Sequence, residues 1–195
     1  MLIVPRLPSR RSSRGVSMLE VLIAIFVLTI GLLGTASMQS QMQTTQVESY
    51  QRAQAIVLLQ DMVDRVNANR KDVASYVAAD LGLSAQDCSV PTTVAGKDLC
   101  EWNNMLFGAA EMKAAQTLGA MTGARGCITN PVTTMPREVV VAVVWQGLRP
   151  TVAPGATTCG QKQYGADDKQ RRAMIARITI GCLQNDPTTG TCVTP

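Results

Sequence analysis

Two sets of side chains in this 195-residue chain could do chemistry: one carboxylate at the head of an apolar run, and six cysteines far downstream. Glu20 is the only acidic residue before Glu48, and no charge of either sign occurs from Val21 to Val47. A carboxylate at the start of a membrane segment is costly, so its presence there points to function. The cysteines, Cys88, Cys100, Cys127, Cys159, Cys182 and Cys192, lack the close Cys-x-x-Cys spacing of metal knuckles. Histidine is absent, which excludes His-based triads and His metal ligands. Serine, threonine and cysteine nucleophiles exist, but in no Gly-x-Ser-x-Gly or Ser-x-x-Lys setting. The chain is therefore read as non-enzymatic, with no cofactor and no metal. No basic patch interleaved with aromatics marks a nucleic-acid partner either.

The element that positions Glu20 begins after a basic, acid-free stretch, MLIVPRLPSRRSSRG, which is read as a leader over residues 1–15. Its Ser9-Arg10-Arg11 triplet resembles a twin-arginine signal, but no small-x-small site clearly follows the apolar run. Val16 to Met38 would rise about 35 Å at ~1.5 Å per residue, enough for a hydrocarbon core of ~30 Å. An ordinary signal anchor would have the same length but would leave Glu20 unexplained. Gly31 and Gly34 offer small surfaces for close helix packing. Arginines flanking an apolar helix stay cytoplasmic, so the chain beyond it, with all six cysteines, is expected on the oxidising side. The net charge of +4 belongs to the leader: without Arg6, Arg10, Arg11 and Arg14, 14 basic side chains face 14 acidic ones. It is a topology signal, not a mark of an acidic partner.

Past Met38 the sequence turns polar without a helix breaker, since no glycine occurs between Gly34 and Gly82 and no proline between Pro8 and Pro91. Ala55, Leu59, Met62 and Val66 repeat at helical spacing and predict a buried stripe, flanked by Ile56 and Val63. Asp61, Asp64, Arg65 and Arg70 are assigned to the solvated side. One helix is therefore predicted from Val16 to about Asn67, with a transmembrane half at 16–38 and an amphipathic half at 39–67.

Residues 68–195 form the expected globular head. Asp72 to Leu83 is read as a short helix, and Asp98 as the N-cap of another through Trp102, Met105 and Leu106. Trp102 is assigned to the core. Strands are expected at Arg125–Asn130, ended by Pro131, at Glu138–Trp145, and from Arg171 to Leu183 with Met174, Ala176, Ile178 and Ile180 on one parity. These three would form an antiparallel sheet packed on the amphipathic half of the long helix. Residues 86–98 and 147–170 are loop-like and would be loose without crosslinks. Six cysteines allow 15 pairings. Three disulfides are expected, with Cys88–Cys100 singled out because both flank one short Pro- and Gly-containing loop; for Cys182, both Cys159 and Cys192 remain open.

The Gly15-Val16-Ser17-Met18-Leu19-Glu20 segment resembles the class III signal of type IV pilins: a basic leader, glycine at the cut and glutamate as fifth mature residue. It departs at Val16, where that family more often has Phe or Met. Gln51 to Arg70, the Asp98–Trp102 segment, Gly126-Cys127 and the Val-rich run ending at Trp145 are similar to the minor pilin family called type IV pilus modification protein PilV. The resemblance implies an α+β, type IV pilin-like fold, with one long N-terminal helix on a small antiparallel sheet head with a helical and loop insertion. It implies cleavage between Gly15 and Val16 by prepilin peptidase, N-methylation of Val16, and residence in the inner membrane before entry into an extracellular pilus. Implied partners are other minor pilins, the major pilin and the inner-membrane assembly platform. The implied role is initiation of pilus assembly, near the tip, in support of twitching motility and adhesion. A minor pseudopilin of a type II secretion system would share Gly15 and Glu20. For Glu20 the expected role is register: its carboxylate would pair with the α-amino group of a neighbouring subunit, because a lone charge in an apolar bundle is costly. The simpler role is a carboxylate at a helix N-terminus, worth about 0.3–1 kcal/mol.

Overall fold

A computed structural model describes residues 15–108, 112–113, 116–117, 121–132, 134 and 137–182. The chain divides into two units between Gln43 and Thr44. Helix α1, Met18–Ala68, starts in the first unit and ends in the second. The Ser17 carbonyl accepts from the amides of Glu20 (3.0 Å) and Val21 (3.3 Å), which opens the helix. In the first unit every residue from 15 to 43 is exposed.

The second unit is the head. Its elements are β1 (Ala78–Leu81), α2 (Val94–Phe107), the two-residue strands β2 (Met112–Lys113) and β3 (Gln116–Thr117), then β4 (Arg125–Val132), β5 (Arg137–Gln146) and β6 (Arg171–Ile180). The main sheet is antiparallel with strand order β1-β4-β5-β6, and β2 pairs only with β3. The predicted stripe of α1, Ala55, Leu59, Met62 and Val66, is buried throughout, and Gln51 extends it by a turn as a buried polar residue. The stripe forms one core with Ile128 of β4, Val139, Val141, Val143 and Trp145 of β5, and Ile178 and Ile180 of β6. Met174 and Ala176 pack against it at the parity read from sequence.

Trp102 is fully buried in this core, and its Nε1 donates to the Leu58 carbonyl of α1 at 2.9 Å. The ring fits because residue 126 is glycine. A Cβ there would lie 2.3 Å from the Trp102 Cζ3.

The opposite face of the sheet is covered too. Cys127, Ala142 and Val144 pack with Cys159 and Tyr164 from the connection between β5 and β6. That connection is held by more than its crosslink. The buried Arg171 guanidinium donates to the carbonyls of Pro154, Thr157 and Cys159, each at 2.9 Å, and pairs with Asp168 at 3.4 Å.

Several expectations are corrected. The helix expected from Asp72 to Leu83 is instead a 3₁₀ segment, Arg70–Tyr76, followed by β1. Val73 and Tyr76, three apart, eclipse on a 3₁₀ helix, and both are fully buried. Leu81 then pairs with Gly126, giving the sheet a fourth strand. Helix α2 begins earlier than expected: Thr93 is its N-cap, accepting from the Gly96 amide at 3.1 Å. Asp98, one turn inside, is free to bind Arg65. Strand β4 passes Pro131, because the register shifts between Thr129 and Val132 and no ladder bond is asked of the proline. Strand β6 ends at Ile180, short of Leu183.

The structure joins Cys88 to Cys100 and Cys127 to Cys159, across 12 and 32 residues of chain. Cys182 is also disulfide-bonded, and since Cys159 pairs with Cys127 it is not the partner of Cys182. Cys192 lies outside the described residues. Disulfides typically contribute about 2–4 kcal/mol, more for the longer loop. In denaturant unfolding of the full chain, C127S/C159S should therefore lose about 1 kcal/mol more than C88S/C100S. Equal midpoint shifts for the two variants would show that Arg171 and packing, not the crosslink, hold the β5–β6 connection.

Candidate functional site

The segment that carries Glu20 has two distinctive features. Gly15, Val16 and Ser17 are exposed and precede the helix, and α1 begins at Met18 with Glu20 in its first turn. Glu20 forms no ion pair among the described residues, and it lies in the first turn of α1, where the helix N-terminus favours a carboxylate. Around and after it stand Leu19, Leu22, Ile23, Phe26, Ile30 and Leu33, all more than half exposed. This helix is long and apolar enough to cross a membrane.

Two of its hydroxyls are satisfied internally. Thr29 Oγ1 donates to the Phe26 carbonyl at 2.8 Å, and Thr35 Oγ1 to that of Leu32 at 2.9 Å. Glu20 is the one charged side chain of the apolar run. Gly31 and Gly34 face open space, with nothing within 4 Å of a built Cβ. The surface is built for apolar contact with lipid or other helices, and its single charge has no counter-charge among the described residues.

In the head, the amphipathic half of α1 is fixed by charge as well as by packing. Arg65, placed on the solvated side from sequence, is a clasp between α1 and α2. Its Nε pairs with Asp61 at 2.9 Å, and its Nη1 with Asp98 at 2.9 Å and Glu101 at 2.7 Å. Tyr76 donates its hydroxyl to the other oxygen of Asp98. Burial, then the Asp98 carboxylate, pushes the Tyr76 phenol up to about 12. At the other end of the helix's head portion, Glu48 Oε1 accepts from the Arg149 amide at 3.3 Å and from Arg172 Nη2 at 3.4 Å. Sequence reasoning did not find Arg65, Arg171 or Glu48 as organising residues. For Arg65 the only local sign is Asp61 four residues earlier; the other partners are distant in the chain.

Among the described residues no group of three or more His, Cys, Asp or Glu side chains could hold a metal, and no cysteine is free. What remains is a recognition element: an exposed apolar helix with one carboxylate, joined to a head tied by disulfides.

Comparison with known families agrees with this description over the first half of the chain. Residues 10–36 match the prokaryotic N-terminal methylation motif. Residues 37–106, from within α1 through the Arg65 clasp and α2, match the Tt1218-like family, described as type IV pilin Tt1218. No curated protein and no solved structure matches the chain. That family is structural rather than enzymatic, and its members depend on prepilin peptidase and the pilus machinery. With the methylation motif on its apolar helix and the Tt1218-like segment running into the head, the chain is similar to type IV pilins over residues 10–106.

Proposed function

We propose that this chain is a type IV pilin, a minor subunit of the pilus of the PilV kind, that helps to initiate assembly near the filament tip and supports twitching motility and adhesion. The observation that carries the reading is the exposed apolar run of α1, whose one charge, Glu20, forms no ion pair among the described residues. Prepilin peptidase would cut between Gly15 and Val16, both exposed and outside the helix. The new α-amino group of Val16 would be methylated. Before assembly the chain spans the inner membrane once, leader in the cytoplasm and head in the periplasm, where the disulfides persist. In the filament, Glu20 would face the α-amino group of an adjacent subunit. An ion pair in an apolar bundle is stable only when both members are well placed, so the pair selects one axial register. Its partners there are the major pilin, other minor pilins and the assembly platform.

Two experiments test this reading. N-terminal sequencing of membrane-extracted protein should begin at a methylated Val16, and Gly15→Val should accumulate the uncut precursor. A mature chain starting near Ala36 would mean an ordinary signal peptide.

Deletion of the gene should reduce surface filaments and twitching while leaving protein secretion intact, and the wild-type chain should restore both. Complementation with Glu20→Ala should insert into the membrane at least as well, because a charge leaves the apolar run, yet should fail to restore filaments. A secretion defect with normal motility would assign the chain to a type II secretion pseudopilus. Full rescue by Glu20→Ala would remove the register role.

A further inference from the structure

One cleft of the head collects hydrogen-bond donors that have no acceptor among the described residues. It lies wholly in the second unit, between the head portion of α1 and the adjoining ends of β5 and β6, and is lined by Glu48, Ser49, Arg52, Trp145 and Arg172. Arg172 is fixed in place. Its Nη1 donates to Thr151 Oγ1 at 2.7 Å and to the Lys169 carbonyl at 3.2 Å. Its Nη2 donates to the Arg149 carbonyl at 2.5 Å and to Glu48 at 3.4 Å. The guanidinium fills the space that a side chain at position 147 would need, since a Cβ on Gly147 would stand 2.5 Å from Arg172 Cζ.

The other donors are open. Arg52 and Ser49 are exposed, and neither the guanidinium nor the hydroxyl has a partner among the described residues. Trp145 is only 4% exposed, yet its indole N–H, which can donate but not accept, has no acceptor among them either. Trp102 gives the contrast, with its N–H taken by the Leu58 carbonyl at 2.9 Å. Among the described residues, the side-chain polar atoms sealed away without a partner belong to Gln51, Arg137 and Arg171. The Trp145 N–H is not one of them, so it opens on the cleft that Trp145 lines. Arg52 and Arg172 against Glu48 leave one positive charge uncompensated. What this set lacks is an acceptor that carries negative charge. A carboxylate supplies both, with one oxygen for an indole N–H and one for a guanidinium.

The size of the cleft narrows the source of that carboxylate. Its volume is about 230 Å³, below the ~300–1,000 Å³ of small-molecule pockets and suited to a single side chain. We propose that the cleft receives an Asp or Glu side chain of a neighbouring subunit, its carboxylate held between the Trp145 N–H and the Arg52 guanidinium, with Ser49 at the rim. That the partner is a pilus subunit rests on the function proposed above, whereas the acid-binding cleft rests on the geometry of the head alone. The contact is separate from the one proposed for Glu20, because the head makes it.

The test uses the full-length chain in detergent micelles, with isotope-labelled tryptophan read by nuclear magnetic resonance. The two indole N–H signals belong to Trp102 and Trp145. N-acetyl-glutamate N-methylamide stands for the acidic side chain, and N-acetyl-glutamine N-methylamide is its neutral counterpart. The acidic probe should shift the Trp145 signal saturably and leave Trp102, the check on folding, in place. Arg52→Gln should weaken that response about threefold or more. No shift at Trp145, equal shifts with both probes, or an undiminished response in R52Q would overturn the acid-binding cleft. In cells lacking the wild-type gene, Arg52→Glu should lower the chain's content in sheared pili about threefold or more at unchanged membrane content, because like charges then meet. Wild-type content of R52E in sheared pili would overturn the neighbouring subunit as the source. Absence of the wild-type chain itself from sheared pili would overturn the pilin reading and this partner together, while the Trp145 titration would still decide the cleft.

Discussion

The structure depends on the seat that one helix takes on one sheet. Remove the stripe Ala55, Leu59, Met62 and Val66, and the apolar face of β5, with its neighbours on β4 and β6, would stand in water. The sheet's other face is covered by the β5–β6 connection, so α1, together with Trp102 and Leu106 of α2, walls this core. Trp102 locks that wall. Its ring lies against the gap left by Gly126, and its indole nitrogen reaches the backbone of α1. Burial of this size dominates folding energetics, while the single hydrogen bond adds about 1 kcal/mol and fixes direction. The same helix that supplies the apolar run thus closes the head.

Charge is arranged to keep the two duties apart. Between Glu20 and Glu48 α1 carries none, which suits a lipid or helix-packed environment. From Glu48 onward, charges act as fasteners within the head. Glu48 takes hold of Arg149 and Arg172, and Arg65 gathers Asp61, Asp98 and Glu101. Isolated surface pairs contribute little, but a half-buried arginine serving three carboxylates fixes α2 against α1. The register role proposed for Glu20 and the fastening role of Glu48 rest on one physical fact: a charge needs a partner in proportion to how dry its surroundings are.

Much of this was legible in the sequence, for identifiable reasons. The helix and its buried stripe followed from periodicity and from the absence of Gly and Pro after Gly34. The long strands followed from β-branched runs, and the parity of Met174, Ala176, Ile178 and Ile180 gave the face that meets α1. Strand β1 was not legible, because Ala78-Ala79-Asp80-Leu81 has no strand composition and owes its state to pairing with β4. Thr93 lost the N-cap assignment to Asp98, since both residue types cap well and only tertiary contact with Arg65 separates them. Arg171 looked like an ordinary strand residue; its role depends on carbonyls that converge only once the loop has folded. At the candidate site, Gly15 and Glu20 stood out as types and spacings, whereas the pin at Glu48 joins residues about a hundred positions apart.

The claim that α1 is a wall of the core, rather than a rod with a head attached, is tested most directly by native-state hydrogen exchange on the full chain in a membrane mimic. The amides of α1 from Ala55 to Val66 should exchange only through the same opening that releases β5, with matching free energies and matching sensitivity to denaturant. Exchange of those α1 amides through a separate, lower-energy opening, with β5 still protected, would show that the sheet holds together without the helix and would contradict the account.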